Sequence, residues 1–234
     1  MARAKVAAPL RQEVAQEIKD DLANMVFKPG TRLIERELCD RYAVSRTIIR
    51  EVLRELESEG LVENIPNIGP VVAVLSPEEA VQIFEVRGIL FGLATRKFVE
   101  MASARDISKV GRSFEKIKDA AEKNDVAAVL SGVSEFHEEV LETIDNKPLR
   151  GMLDRIHTRV AVLRVTTLSS PGRLPNTVNE LARVFEAIKT RNAAAAEAAF
   201  IDHIDCVSKV ARTVLIKQRD EQPMPKPRKR KISL

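Results

Sequence analysis

Residues 41–62 read RYAVSRTIIREVLRELESEGLV, and the stretch changes character partway. Ser45, Arg46, Thr47 and Arg50 crowd its polar start, and Ile49, Val52, Leu53 and Leu56 then recur at helical spacing until Gly60. The apolar set predicts a helix with one buried face, Ser45 as its N-cap and Gly60 as its stop. Arg46 and Arg50, four apart, leave on the side away from that face. Held by its apolar side, such a helix can enter a DNA major groove with its first turn. There arginine bonds guanine bidentately, hydroxyls such as those of Ser45 and Thr47 reach phosphate or bases, and helix N–H groups attract anions. The alternative is a merely solvated face.

The neighbouring sequence favours the groove. Leu10, Val14, Ile18, Leu22 and Met25 predict an amphipathic helix over 8–26, ended by Lys28-Pro29-Gly30. Leu33, Ile34, Leu38 and Tyr42 fit a short second helix, and 43–44 form a tight turn. After Gly60, LVENI and PVVAVL flank a Pro/Asn/Gly turn and read as a β-hairpin. Three helices and a hairpin within about 70 residues make a winged helix-turn-helix pattern. SPEE (76–79) starts a new helix with a serine cap, an early proline and two acids at the positive helix end. Helices are predicted at 77–102, 104–123, 125–145, 148–168, 176–190 and 193–218, forming an all-α bundle. The expected fold is therefore mainly α. It has a winged helix-turn-helix domain at 1–75, a helical bundle at 76–219 and a disordered basic tail at 220–234.

Composition narrows the partners. The formal charge is +4, but five of the 38 bases and one of the 34 acids lie in 221–234, EQPMPKPRKRKISL. The first 220 residues balance at 33 of each, so DNA affinity of the folded part must come from a local cluster. Aromatics make up 4% of residues and tryptophan is absent, which disfavours a stacking platform for single strands. No run approaches the roughly 18 apolar residues of a membrane span, and MARAKVAAPLRQ lacks the apolar core of a secretion signal. Cys39 and Cys206 have no metal or CxxC spacing, which suits two buried thiols in a reducing cytoplasm.

The stretch FKPGTRLIERELCDRYAVSRTIIREVLRELESEGLVENIPNIGPVV (27–72) closely resembles the DNA-binding domain of GntR-family bacterial transcription regulators. The helical remainder, through FEVRGIL, EFHEEV and AAFIDHI, resembles the ligand-sensing domain of the FadR-type (FCD) branch. The resemblance implies that Arg36, Arg46 and Arg50 contact bases or phosphates and that Asn67 and Gly69 of the wing turn enter the minor groove. It also implies a homodimer on a short inverted repeat of double-stranded operator DNA. Ile48 stands where many relatives have proline.

In much of that branch one Asp and three His hold a divalent metal, with a small carboxylate effector beside it. Here His137 and His203 are present, but Val133 and Leu181 occupy the other two ligand positions. No metal is therefore expected, unless His157 or a nearby Glu completes a site. His137 and His203 are either donors to an anionic effector in a metal-free pocket, together with Arg87, or hydrogen-bonded core histidines. Arg87 itself is either a pocket residue or an exposed helix arginine. The function expected is a cytoplasmic transcriptional regulator, a repressor by preference, responsive to a small organic acid or sugar acid. Two alternatives stand beside it: an effector-independent DNA binder with a vestigial sensing domain, and an enzyme acting on a small acid. Against the enzyme, no nucleophile–base pair or phosphate loop is visible.

Overall fold

The computed structural model describes residues 2–221. Their order is α1 (Ala2–Ala23), α2 (Glu35–Tyr42), α3 (Arg46–Ser58), β1 (Val62–Ile65), β2 (Gly69–Val72), α4 (Pro77–Met101), α5 (Ala104–Glu122), α6 (Val126–Ile144), α7 (Lys147–Leu168), α8 (Arg173–Lys189) and α9 (Ala193–Glu221). The basic tail beyond 221, expected to be disordered, lies outside the described residues.

The buried side chains form two separate clusters. In the first, Val14, Ile18 and Leu22 of α1 meet Leu38 of α2 and Ile49, Val52, Leu53 and Leu56 of α3. The second spans α4 to α9, with Phe98, Phe136, Phe200, Ile117, Leu181 and Ile188 fully enclosed. Each burial set repeats at three or four residues, so hydrophobic periodicity accounts for both.

Caps set most helix starts. Ser76, Ser103, Asp125 and Asn146 each accept a bond from the third helical N–H, and Ser103 with Asp106 completes a capping box. Three boundaries differ from expectation. The helix α1 begins at Ala2, because alanine-rich residues have helical propensity without an apolar period. Leu33 and Ile34 precede α2 because residues 30–33 extend alongside β2, with Gly30 N–H to Val72 O at 2.9 Å and Leu33 N–H to Pro70 O at 2.8 Å. The helix α8 starts at Arg173, ahead of Pro175, since proline in a first turn removes an N–H that has no helical partner.

The hairpin pairs Val62 with Val72 and Ile65 with Gly69, antiparallel. Its turn places Asn67 and Gly69 at φ of +67° and +94°. Gly60, at φ +72°, ends α3 where the chain passes under the Arg159 side chain of α7, and a Cβ there would lie 3.1 Å from the guanidinium. Arg159 in turn pairs with Glu79 of α4. Cys39 and Cys206, expected to be buried, are free and half-exposed, on the margins of their helices' packed faces. Among the described residues no helix is long and apolar enough to cross a membrane.

Candidate nucleic-acid interface and buried cation site

Ala43 takes a left-handed conformation at φ 53°, which turns α2 sharply into α3. Ser45 caps α3 through a long 3.4 Å bond from Ile48 N–H, so its hydroxyl proton stays free to donate outward. Arg46 and Thr47 are exposed in the first turn, and Ile48 leans back onto the first core. Arg50, one turn on, is exposed, but its Nε donates to Glu35 of α2 at 2.8 and 3.0 Å. That pair leaves the outer edge of the guanidinium available. Arg36 is exposed on the first turn of α2, and Asn67 is exposed at the tip of the hairpin with Gly69 half-buried beside it. Arg36, Arg46, Thr47 and Asn67 all keep a solvent face, as a groove contact requires.

The bundle residues are buried. Arg87 on α4 is 4% exposed, has an unpartnered Nε, and lies 5.3 Å over the Phe91 ring. It meets no carboxylate among the described residues. Burial and then nearby Arg164 push its pKa down to about 9, and it remains a cation at neutral pH. His137 on α6 stands 4.5 Å from Phe91, centroid to centroid, and neither ring nitrogen has a partner among the described residues. Burial, then the charges of Arg87 and Arg164, holds its pKa well below the ordinary value, so it is neutral. Thr177 Oγ1 of α8 is likewise buried without a partner. These orphaned groups sit where desolvation is costly unless something binds them.

His203 on α9 differs. Its Nδ1–H donates to Glu180 Oε2 at 2.7 Å, and burial outweighs the carboxylate's pull and keeps the ring neutral. Glu180 also accepts two bonds from Arg173, at 2.6 and 2.8 Å. Burial would raise the Glu180 pKa, but the bonds from His203 and Arg173 win and bring it down to about 2. Sequence reading did not find Arg173. Its only trace was a seven-residue spacing from Glu180, two turns along one helix face.

The donor set does not fit a divalent metal. Val133 and Leu181 are buried aliphatics at two ligand positions of the resembled branch. Glu180, which accepts from His203 Nδ1–H, is committed to Arg173 and supplies no free carboxylate, so His203 has Nε2 alone to offer. His157 turns to Arg164 at 3.0 Å rather than toward a ligand set.

Residues 10–72 match the bacterial regulatory proteins of the gntR family, and residues 82–205 match the FCD domain. The chain belongs to the GntR family, with an FCD domain. It is 25% identical over 201 residues to YdhC of Bacillus subtilis, an uncharacterized HTH-type transcriptional regulator, across 85% of this chain and 90% of that one. It is 28% identical over 199 residues to the galactonate operon transcriptional repressor of Escherichia coli, across 76% and 86%. Among solved structures, E. coli McbR/YncC matches with a TM-score of 0.72 at 20% identity, covering 89% of this chain and 98% of that one. That last likeness concerns the fold alone. Membership makes this GntR-family chain a transcriptional regulator and removes the enzyme alternative.

Proposed function

We propose that this regulator binds operator DNA as a homodimer, α3 in the major groove and the hairpin in the minor groove, and releases it on binding a small carboxylate in the bundle. Arg46 and Arg50 read bases, Arg36, Ser45 and Thr47 reach bases or phosphates, and Asn67 and Gly69 carry the wing. The effector is a small organic acid or sugar acid held without a metal, its carboxylate on Arg87 and its other polar groups on His137 and His203.

One observation carries the effector reading: Arg87 is a buried cation without an anion among the described residues. A guanidinium in that position costs several kcal/mol in the free protein, and a ligand carboxylate recovers it. Neutral His137 can donate from one nitrogen and accept at the other, which suits the hydroxyl of a hydroxy acid. Repression is favoured by the galactonate operon repressor among the relatives.

A thermal-shift screen of organic and sugar acids, with each hit retested for release of operator DNA, tests this. At least one hit that releases DNA should raise the melting temperature of the wild type and not of Arg87→Gln. If every DNA-releasing hit acts equally on both proteins the Arg87 assignment is refuted, and no hit across the screen would favour a vestigial sensing domain.

A further inference from the structure

A cleft of about 290 Å³ separates α1 of the DNA-binding head from α6 and α7 of the bundle. One wall carries Gln16, Lys19 and Asp20, and the other carries Ser134, His157 and Arg164. Neither Arg87 nor His137 lines it, although the charge of Arg164 reaches both.

Arg164 gives the cleft its chemistry. Its guanidinium donates to His157 Nε2 at 3.0 Å, Ser134 Oγ at 2.9 Å and Leu130 O at 3.3 Å. Because arginine has only donors, His157 must accept through Nε2 and carry its proton on Nδ1. All three acceptors are neutral, and no carboxylate pairs with Arg164 among the described residues. Elsewhere on α7, Arg150 pairs with Glu138 and Arg159 with Glu79. Arg164 is aimed by its bonds but not neutralised, and of its five N–H donors two remain.

The opposite wall limits the ligand's charge. Lys19 is held by Glu59 at 2.8 Å and is not a second free cation, while Asp20 accepts a bond from the neutral Gln16 amide at 2.9 Å and keeps its charge. One uncompensated cation facing one carboxylate suits a monoanion whose far end donates hydrogen bonds. A second negative charge would meet Asp20.

The wall on α1 also has mechanical consequences. The helix α1 shares its core with α3 through Ile18, Leu22, Val52 and Leu56, and Lys19–Glu59 ties it to the C-terminal end of α3. Whatever bridges the cleft therefore touches the bundle and the body that presents the recognition helix.

We propose that this cleft is a second ligand site, taking a small polyhydroxy monocarboxylate with its carboxylate on Arg164 and hydroxyls toward Gln16 and Asp20, and that its occupant sets the seating of the DNA-binding head on the bundle. A ligand shifts that seating only by its preference for one arrangement over another, and the two-walled contact supplies such a preference.

The probe is D-gluconate, compared with chloride and with inorganic phosphate at equal ionic strength, on the full-length protein. Gluconate should raise the melting temperature and slow amide exchange over residues 14–23 of α1. Arg164→Gln should weaken apparent gluconate affinity at least tenfold and abolish the exchange effect, and Arg87→Gln should keep both. If Arg164→Gln fails to fold, Arg164→Lys, which retains charge but not the three-way anchoring, should bind several-fold more weakly. No stabilisation of the wild type by gluconate would overturn the site. So would equal affinity in wild type and the Arg164 variant, or an equal effect of phosphate. A response lost in Arg87→Gln and kept in Arg164→Gln would place gluconate in the interior pocket instead, leaving that reading standing and this one refuted.

Discussion

Arg46 and Arg50 leave α3 one turn apart, yet the free protein treats them differently: Arg46 projects into solvent, and Arg50 is held by Glu35. A bidentate arginine–guanine contact contributes about 1–3 kcal/mol. Arg46→Ala and Arg50→Ala are each expected to weaken operator binding tenfold or more without changing the helical circular dichroism. Glu35→Ala should cost less, because it loosens the aim of Arg50 and leaves its charge. A gel-shift titration at fixed salt measures all three, and unchanged affinity in both arginine variants refutes the groove assignment. His157 carries a second residue-scale expectation. Burial and the charges of Arg164 and Arg87 lower its pKa from 6.5 to about 3. Between those values the unfolded chain binds a proton that the folded chain rejects. Its stabilising effect is therefore complete above about pH 6.5 and declines as pH falls toward 3. His137 and His203 shift the same way, chiefly by burial, whereas Glu180 acts below 4.5. Urea unfolding at pH 7 and pH 5 should show a loss of up to about 1.4 kcal/mol per pH unit for each such histidine. His157→Gln, which keeps an acceptor for Arg164, should lose less by one histidine's share, and an equal loss in both proteins counts against a neutral His157. Arg87, His137 and His203 were legible in the sequence as candidate residues. Arg173 and Arg164 were not, because an arginine bonded two turns along its own helix looks like any other helix arginine until tertiary burial is known.

The elements were more legible than the sites, because each helix combines a local start signal with a long apolar period. Ser45, Ser76 and Ser103 mark starts, Gly60 marks a stop, and the hairpin follows from its Pro/Asn/Gly turn. The misplaced boundaries are those where a different force decides. Strand pairing takes Leu33 out of α2, and a proline tolerated in a first turn lets α8 begin early. Packing between helices lies beyond local signals, and two glycines separate it from propensity. Gly132 of α6 is pressed against α5, and a Cβ there would lie 2.7 Å from Ile117 Cγ1 with the Ile117 backbone nitrogen at 3.5 Å. Neither atom is the free end of a flexible chain, so Gly132→Ala should lower stability by about 1–3 kcal/mol. Gly151 of α7 is exposed, and a Cβ added there would meet nothing within 4 Å. Gly151→Ala should therefore add about 0.5–1 kcal/mol through helix propensity alone. Denaturant unfolding of the two variants is a paired test: the same sign in both would mean that the α5–α6 contact does not control the response at Gly132.

At the scale of the molecule, charge and an uncovered apolar stripe together favour two copies. The first 220 residues balance their charges, so one head has little non-specific hold on DNA, and useful affinity needs a second half-site. The bundle offers a surface to supply it. Val86, Ile89 and Leu93 of α4 are 49%, 58% and 38% exposed, and Ile201 of α9 is 36% exposed. Gly92 brings α9 against this stripe, since its Cβ position lies 2.8 Å from Ile201 Cγ1, so the four side chains belong to one patch across two helices. Arg96, Glu100 and Glu197 form an ion-pair network at one end, a polar rim beside an apolar centre. In the proposed homodimer, a twofold axis through the patch would set each copy's stripe on the other's, and a symmetric pair of heads would then match an inverted repeat with half-sites about one DNA turn apart or less. The wild type should sediment as a dimer of 26.1 kDa subunits at micromolar concentration. Ile89→Glu with Leu93→Glu should give a folded monomer, because both side chains are solvent-exposed in the single chain and a charge there harms only the contact between copies. Its operator affinity should fall by about 10²-fold or more as the second half-site becomes a separate binding event. A wild type that sediments as a monomer refutes the dimer, and a double variant that remains dimeric moves the interface away from α4.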